Sequence, residues 1–288
     1  MRQPLTLVMF IRENEQSPDD PKLVRYDAEP QFYVGAERFA LPEGLPSGAD
    51  LPRERLDRHL VDFYQSVRAH WTSITQARVQ VVVPTELFNE PFELARAGSD
   101  DDFIVLGEHH ELVLRPIVRH GLDKPMHYGA WTESVQLRSG SALSHLNRHR
   151  CGNRLELCGR EAVGFLQDYR WEPGPGGRGT VEYELGRGKW ALVWTHGMTC
   201  TGGCTGANGA NDPCPGGAVG NLLHRMLEAE DHKLSRLPSV VSRLRRTLGD
   251  GGPSPQRVVL LFDDPGWCPW AGTGRLDSVL VEKGTQHG

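Results

Sequence analysis

"ARVQVVVPTELF", residues 77–88, decides how this chain is read. Val79, Val81, Val82 and Val83 make a β-branched run that Pro84 closes, and such residues favour the pleated conformation. A strand with one wet face alternates apolar and polar residues. Here the alternation is nearly absent, so the run predicts a strand in a sheet covered on both faces. "LTLVMFIR" (5–12) and "QRVVLLFDDP" (256–265) are runs of the same kind.

Helical patterns lie between these strands. After Asp50, the residues Leu56, Leu60, Phe63, Tyr64, Val67 and Trp71 recur at helical spacing. They predict an amphipathic helix with Asp50 as N-cap and Pro52 in its first turn. "LVRYDA" and "QFYVGAERFA" predict two more strands of an opening meander, parted by a proline. "ELVLRPIVRH" (111–120) predicts a strand that Pro116 interrupts, which favours an edge or a bulge. "GKWALVWTH" (188–196) is a strand, and "GAVGNLLHRMLEAEDHKL" and "SRLPSVVSRLRRTLG" are helices, the second ended by Gly249. Residues 188–262 thus read as strand–helix–helix–strand with one parallel crossover.

The pattern predicts an α/β fold, a central mixed β-sheet flanked by helices. It is read as a single large domain over residues 1–288, with an irregular bridge at about 139–179 and a Gly/Cys-rich loop at 196–217.

A chain of 288 residues, 38% hydrophobic and 24% charged, can bury a proper core. Its net charge of −5 argues against nucleic acid or an anionic membrane as a dedicated partner. The first apolar run, "LTLVMFI", is too short for a signal-peptide core, and no window approaches the ~18 apolar residues of a membrane span. A cytoplasmic location is therefore expected. In a reducing compartment the six cysteines are expected as thiols or metal ligands rather than disulfides.

Three of those cysteines stand in "THGMTCTGGCTGANGANDPCPGG" (195–217), where His196, Cys200, Cys204 and Cys214 have the form H-x3-C-x3-C-x9-C. Zinc accepts a Cys3His set, but a strong signal shows two regular knuckles and this stretch has one loose pair. The competing reading is an unligated glycine-rich surface loop. A phosphate cradle fits poorly, because a dinucleotide fingerprint places its glycines directly after the strand.

Asp263 and Asp264 are better placed, since open α/β sheets gather ligands at the carboxyl ends of their strands. One carboxylate could hold a metal or act as a general base. Equally, either could cap a turn before Pro265. His109, His110, His120 and His127 show no H-x-H or H-E-x-x-H spacing and read as solvated or capping residues. The basic stretch "SRLRRTLG" reads as a solvated helix end whose charge suits the helix dipole.

Three blocks together resemble the C-terminal domain of vWA-MoxR-associated proteins. "RVQVVVPTELFNEPFE" is similar to that family's LPxxLLNxPVDxW segment, "HHELVLRPIVRH" to its YPVVVRSLERL strand, and "QRVVLLFDDPGWCPW" to its LLWDDPxRLP ending. The blocks come in the family's order, with "SRLPSVVSRLRR" ahead of the last strand. Pro84, Asn89, Arg115, Arg119, Asp263, Asp264 and Pro265 fall on motif positions. Phe262 stands where the family has Trp, the Asp-x-Trp after "NEP" is missing, and the loop at 196–217 is longer.

The resemblance implies a component of a bacterial NTP-dependent conflict system. Its partners would be a MoxR-type AAA+ ATPase and a vWA-domain protein, and no settled catalytic activity comes with it. The leading expectation is a signal-coupling interaction module rather than an enzyme. The alternatives are a zinc-binding regulatory domain on the cysteine loop or a metal-dependent hydrolase at Asp263/Asp264. Arg115 and Arg119, four apart on one predicted strand, are expected on one face, with one of them paired to Asp263 or Asp264.

Overall fold

The structure is a computed structural model. It describes residues 5–14, 24–71, 77–99, 102–117, 146–148, 163–166, 181, 185, 190–196, 215–231, 233–249, 257–264 and 267–269. Its centre is four parallel strands side by side: β1 (Leu5–Glu13), β5 (Arg78–Val83), β8 (Glu111–Pro116) and β12 (Arg257–Phe262). Both faces of this quartet are covered. That is why β5, β8 and β12 are buried at every position after the first and read as unbroken apolar runs.

On one flank β2 (Arg25–Val34) runs antiparallel to β1, with β3 (Glu37–Phe39) and β4 (Leu51–Pro52) on its outer side. On the other flank β11 (Ala191–His196) runs antiparallel to β12, followed by β10 (Val163–Leu166) and β9 (Leu146–Arg148), each parallel to its neighbour. The expected mixed sheet is present, with ten strands among the described residues. A separate hairpin, β6 (Arg96–Ser99) and β7 (Asp102–Val105), leads into the one-turn helix α2 (Leu106–His109).

Alternate side chains of each central strand feed two cores. Helix α1 (Leu56–His70) lays Leu56, Leu60, Phe63, Tyr64 and Val67 against the face of Leu7, Met9, Val79, Val81 and Leu114. Helices α3 (Pro215–Glu228) and α4 (Leu237–Gly249) cover the opposite face, where Val113, Val193, Leu260 and Phe262 point.

Four expectations are corrected. The two strands after β1 divide at the turn after Val34 rather than at Pro30, because Pro30 does not interrupt β2. Ala28 sends its N–H outward to Gly48 O at 2.7 Å. With period two, the N–H that Pro30 lacks belongs to that same outer edge, where neither β3 nor β4 pairs with it. Asp50 is not the cap of α1. It sits at φ 54 in a turn with its N–H on Asp27 Oδ1, and the N-cap is Arg55 after a short 3-10 turn.

Strand β8 is central rather than an edge. Pro116 is tolerated because it is the strand's last residue, beside Val83, the last of β5. The unit from β11 to β12 is antiparallel, not a parallel crossover. One helix would carry the chain to the far end of the sheet. Two in series return it to the end it left, so His196 pairs with Arg257. The bridge at 139–179 contributes β9 and β10 to the sheet, and its remaining residues lie outside the described ones.

Candidate functional site

The carboxyl end of β12 delivers Asp263 and Asp264 beside the last turn of β8, which carries Arg115. Continuing the strand, Asp263 N–H donates to Trp190 O at 2.7 Å. Arg115 shares its sheet face with Val113, and on β5 Gln80 points the same way, because strand side chains alternate. The Arg115 guanidinium therefore lies among acceptors from β5, the end of β12 and the residues after it. Its Nη2 donates to Asp263 Oδ1 at 2.8 Å, Asp264 O at 3.1 Å and Cys268 Sγ at 2.7 Å. Its Nη1 donates to Gln80 Oε1 at 3.0 Å. The Gln80 amide in turn donates from Nε2 to Trp267 O at 2.6 Å.

Arg115 and Asp263 both have side chains 0% exposed. A charge so placed persists only when paired and hydrogen-bonded, and the network above supplies both conditions. The Cys268 thiol beside them is pushed up to about 12, chiefly by burial, against the pull of Arg115. It stays protonated, accepting from the guanidinium and donating weakly to Asp264 O. A buried, protonated thiol is no nucleophile. Asp263, held to a guanidinium and shut from solvent, is likewise poorly placed as a base for a diffusing substrate.

Of the residues singled out from sequence, Arg115 and Asp263 are brought into contact, and Asp264 joins through its carbonyl. Arg119 and Pro265 lie outside the described residues, and β8 ends at Pro116, short of Arg119. His196 is the last residue of β11, but its side chain lies outside the described residues, as do Cys200, Cys204 and Cys214. Among the described residues no cluster of three His, Cys, Asp or Glu could hold a metal ion. None of the described helices is long and apolar enough to cross a membrane.

At motif positions Pro84 and Asn89 the backbone carbonyls accept hydrogen bonds. Pro84 O accepts from Leu87 N–H to open a 3-10 turn, and Asn89 O accepts from Arg257 Nη2 at 3.0 Å. These segments, β8 and the end of β12 form one connected structure. A family model described as vWA-MoxR associated protein C-terminal domain matches residues 24–265 of the chain. The chain belongs to this family. Among curated proteins and among solved structures, nothing matches it.

This vWA-MoxR associated C-terminal domain holds a second polar cluster, at the opposite ends of the same strands. Arg245 of α4 is buried, not solvated as expected. The ladder pairs β8 and β12 at Leu261 and Leu114, and near their starts Arg245 bridges them. Its Nε donates to Val258 O at 2.8 Å, and its Nη1 to Leu112 O at 3.1 Å and Gly107 O at 3.2 Å. Burial lowers its pKa to about 10, opposed by the nearby charges of Glu93 and Glu108. Glu93 is itself buried and binds Arg257 Nε at 2.8 Å.

His110 is also buried rather than solvated. Ala77 N–H donates to its Nδ1 at 3.2 Å, so its Nε2 carries the proton and donates to Tyr64 Oη at 2.9 Å. Desolvation lowers its pKa to about 4, helped by His109 and Arg68. Gln80 and Arg245 each had a signal in the sequence. Gln80 is the one polar residue among the valines of 79–83, and Arg245 falls four residues after Val241, on the apolar stripe of α4. His110 had none.

Proposed function

We propose that this chain is a protein-interaction and signal-coupling module of a bacterial NTP-dependent conflict system, working with a vWA-domain protein and a MoxR-type AAA+ ATPase. Membership of the vWA-MoxR associated C-terminal domain family carries the proposal. The site geometry favours it over hydrolysis. The acid where an α/β enzyme would hold its chemistry is neutralised by Arg115 and fully buried. In a module of this kind the strand-end charges serve to set the sheet's shape, and recognition falls to the surface.

The test is co-expression of the chain with a vWA-domain protein and a MoxR-type ATPase of the same genome, followed by size-exclusion chromatography with and without nucleotide. Co-elution of the chain with either partner is the expected result. If the two partners associate with each other while the chain elutes alone in every nucleotide state, the proposal fails.

A further inference from the structure

Two polar atoms in the cluster around Arg245 take no part in the bonds described above. Arg245 directs Nε to Val258 O, and Nη1 to Leu112 O and Gly107 O. Glu93 offers Oε1 to Arg257 Nε. Among the described residues, Arg245 Nη2 and Glu93 Oε2 have no hydrogen-bond partner. Both residues are nearly shut from solvent, Glu93 at 1% and Arg245 at 5% exposure. One atom is a donor and the other an acceptor, and a buried group of either kind is costly to leave unpaired.

The same neighbours hold both side chains. Gly107 O accepts from Arg245 Nη1, and Gly107 packs so tightly on Glu93 that a Cβ built there would stand 2.9 Å from Glu93 Cβ. At the start of β12, Arg257 binds the Glu93 carboxylate while the next residue, Val258, accepts from Arg245. Glu93 is also the carboxylate whose charge acts most strongly on Arg245. Glu108 comes second, and its carboxylate sits at the end of α4, where a Cβ built on Gly249 would stand 2.9 Å from Glu108 Oε1. The Glu93 carboxylate and the Arg245 guanidinium thus lie close together with no bond between them.

We infer that a single buried water joins the two side chains, accepting from Arg245 Nη2 and donating to Glu93 Oε2. The two atoms define the ligand by their chemistry. It must accept on one side and donate on the other, which rules out an apolar molecule. An anion would be repelled by the Glu93 carboxylate and a cation by the guanidinium, so the ligand is uncharged. Water meets both conditions, and bridging waters belong where two polar groups stand just beyond direct reach. The bridge ties α4 to the turn Phe92–Leu94, which Arg257 in turn ties to β12.

The direct test is a crystal structure of the full chain at a resolution that shows ordered solvent. A solvent peak about 2.7–3.2 Å from both Arg245 Nη2 and Glu93 Oε2 is the expected result. Ordered side chains with no peak between them overturn the bridge. So does direct contact between the two groups, or a peak whose scattering fits chloride rather than water.

Magnetic relaxation dispersion of solvent oxygen, which counts long-lived internal waters, gives a second reading in solution. Glu93→Met combined with Arg245→Met removes both anchors and both charges together. The double variant is expected to lose one long-lived water relative to the wild-type chain. An unchanged count in the folded variant overturns the bridge, and if the variant does not fold, the crystal structure of the wild-type chain decides.

Discussion

Arg115 Nη2 stands 2.8 Å from Asp263 Oδ1, across 148 residues of sequence and with both side chains fully buried. The pair ties β8 to the end of β12, and through Gln80 it reaches β5. Two charges taken so far from water are sustained by each other and by the surrounding acceptors, so neither is dispensable alone.

Asp263→Asn and Arg115→Met are each expected to lower unfolding stability by about 3–5 kcal/mol, because each leaves a buried charge without its partner. The double variant is expected to lose less than the sum of the two. Urea denaturation of the four proteins gives the coupling energy, and strict additivity would show that the two groups do not act as a pair.

Arg245 joins three carbonyls at the other end of the strands, and a lysine cannot span them. Arg245→Met is expected to destabilise by about 2–4 kcal/mol, since buried acceptors lose their donor. Arg245→Lys, with a single point of contact, should recover only part of that. Full recovery in a thermal melt would mean that charge alone matters there.

Gly107 has no room for a side chain, because a Cβ built there would stand 2.5 Å from Glu93 O. Gly107→Ala must push α2 off the turn carrying Glu93, with a loss of about 1–3 kcal/mol. Faster amide exchange at Leu106 and Leu112 would locate the damage, and an unchanged melting profile would contradict the packing described.

His110 is held neutral, its pKa lowered to about 4 from the ordinary 6.5. Between those values the unfolded chain binds the extra proton and the folded chain does not. The favourable contribution is complete above about pH 6.5 and is lost as pH falls toward about 4, amounting to roughly 3 kcal/mol. Glu111, whose pKa burial raises, pushes the other way, so the comparison must be with a variant. His110→Asn keeps an acceptor for Ala77 N–H without the titration. The difference in stability between the two proteins should shrink as pH falls from 7 to 4.5, and a constant difference would place the histidine's titration elsewhere.

His196 and the three cysteines of the 196–217 loop are tested by metal analysis of protein purified without added zinc. An interaction module of the proposed kind is expected to carry well below stoichiometric zinc. Near-stoichiometric zinc that is lost in Cys200→Ser and Cys214→Ser would move the functional centre to that loop.

The sequence by itself determined what depends on near neighbours along the chain. Val79–Val83, Leu5–Ile11 and Val258–Phe262 announce covered strands, and the Leu56–Val67 stripe announces α1, because burial on two faces or one stripe is written in local periodicity. It also brought Asp263 to a strand end and set Arg115 on one face of another strand.

Only the tertiary structure decided which arginine met which acid, and that Gln80 and Cys268 complete the group. It also placed Pro116 at the centre of the sheet, turned β11 antiparallel to β12, and buried His110 and Arg245. Each of these depends on register and on the path of the chain between distant segments. A buried polar group is specified by its partners, and for Arg115 they come from β5, the end of β12 and the residues after it, which no window of sequence contains together.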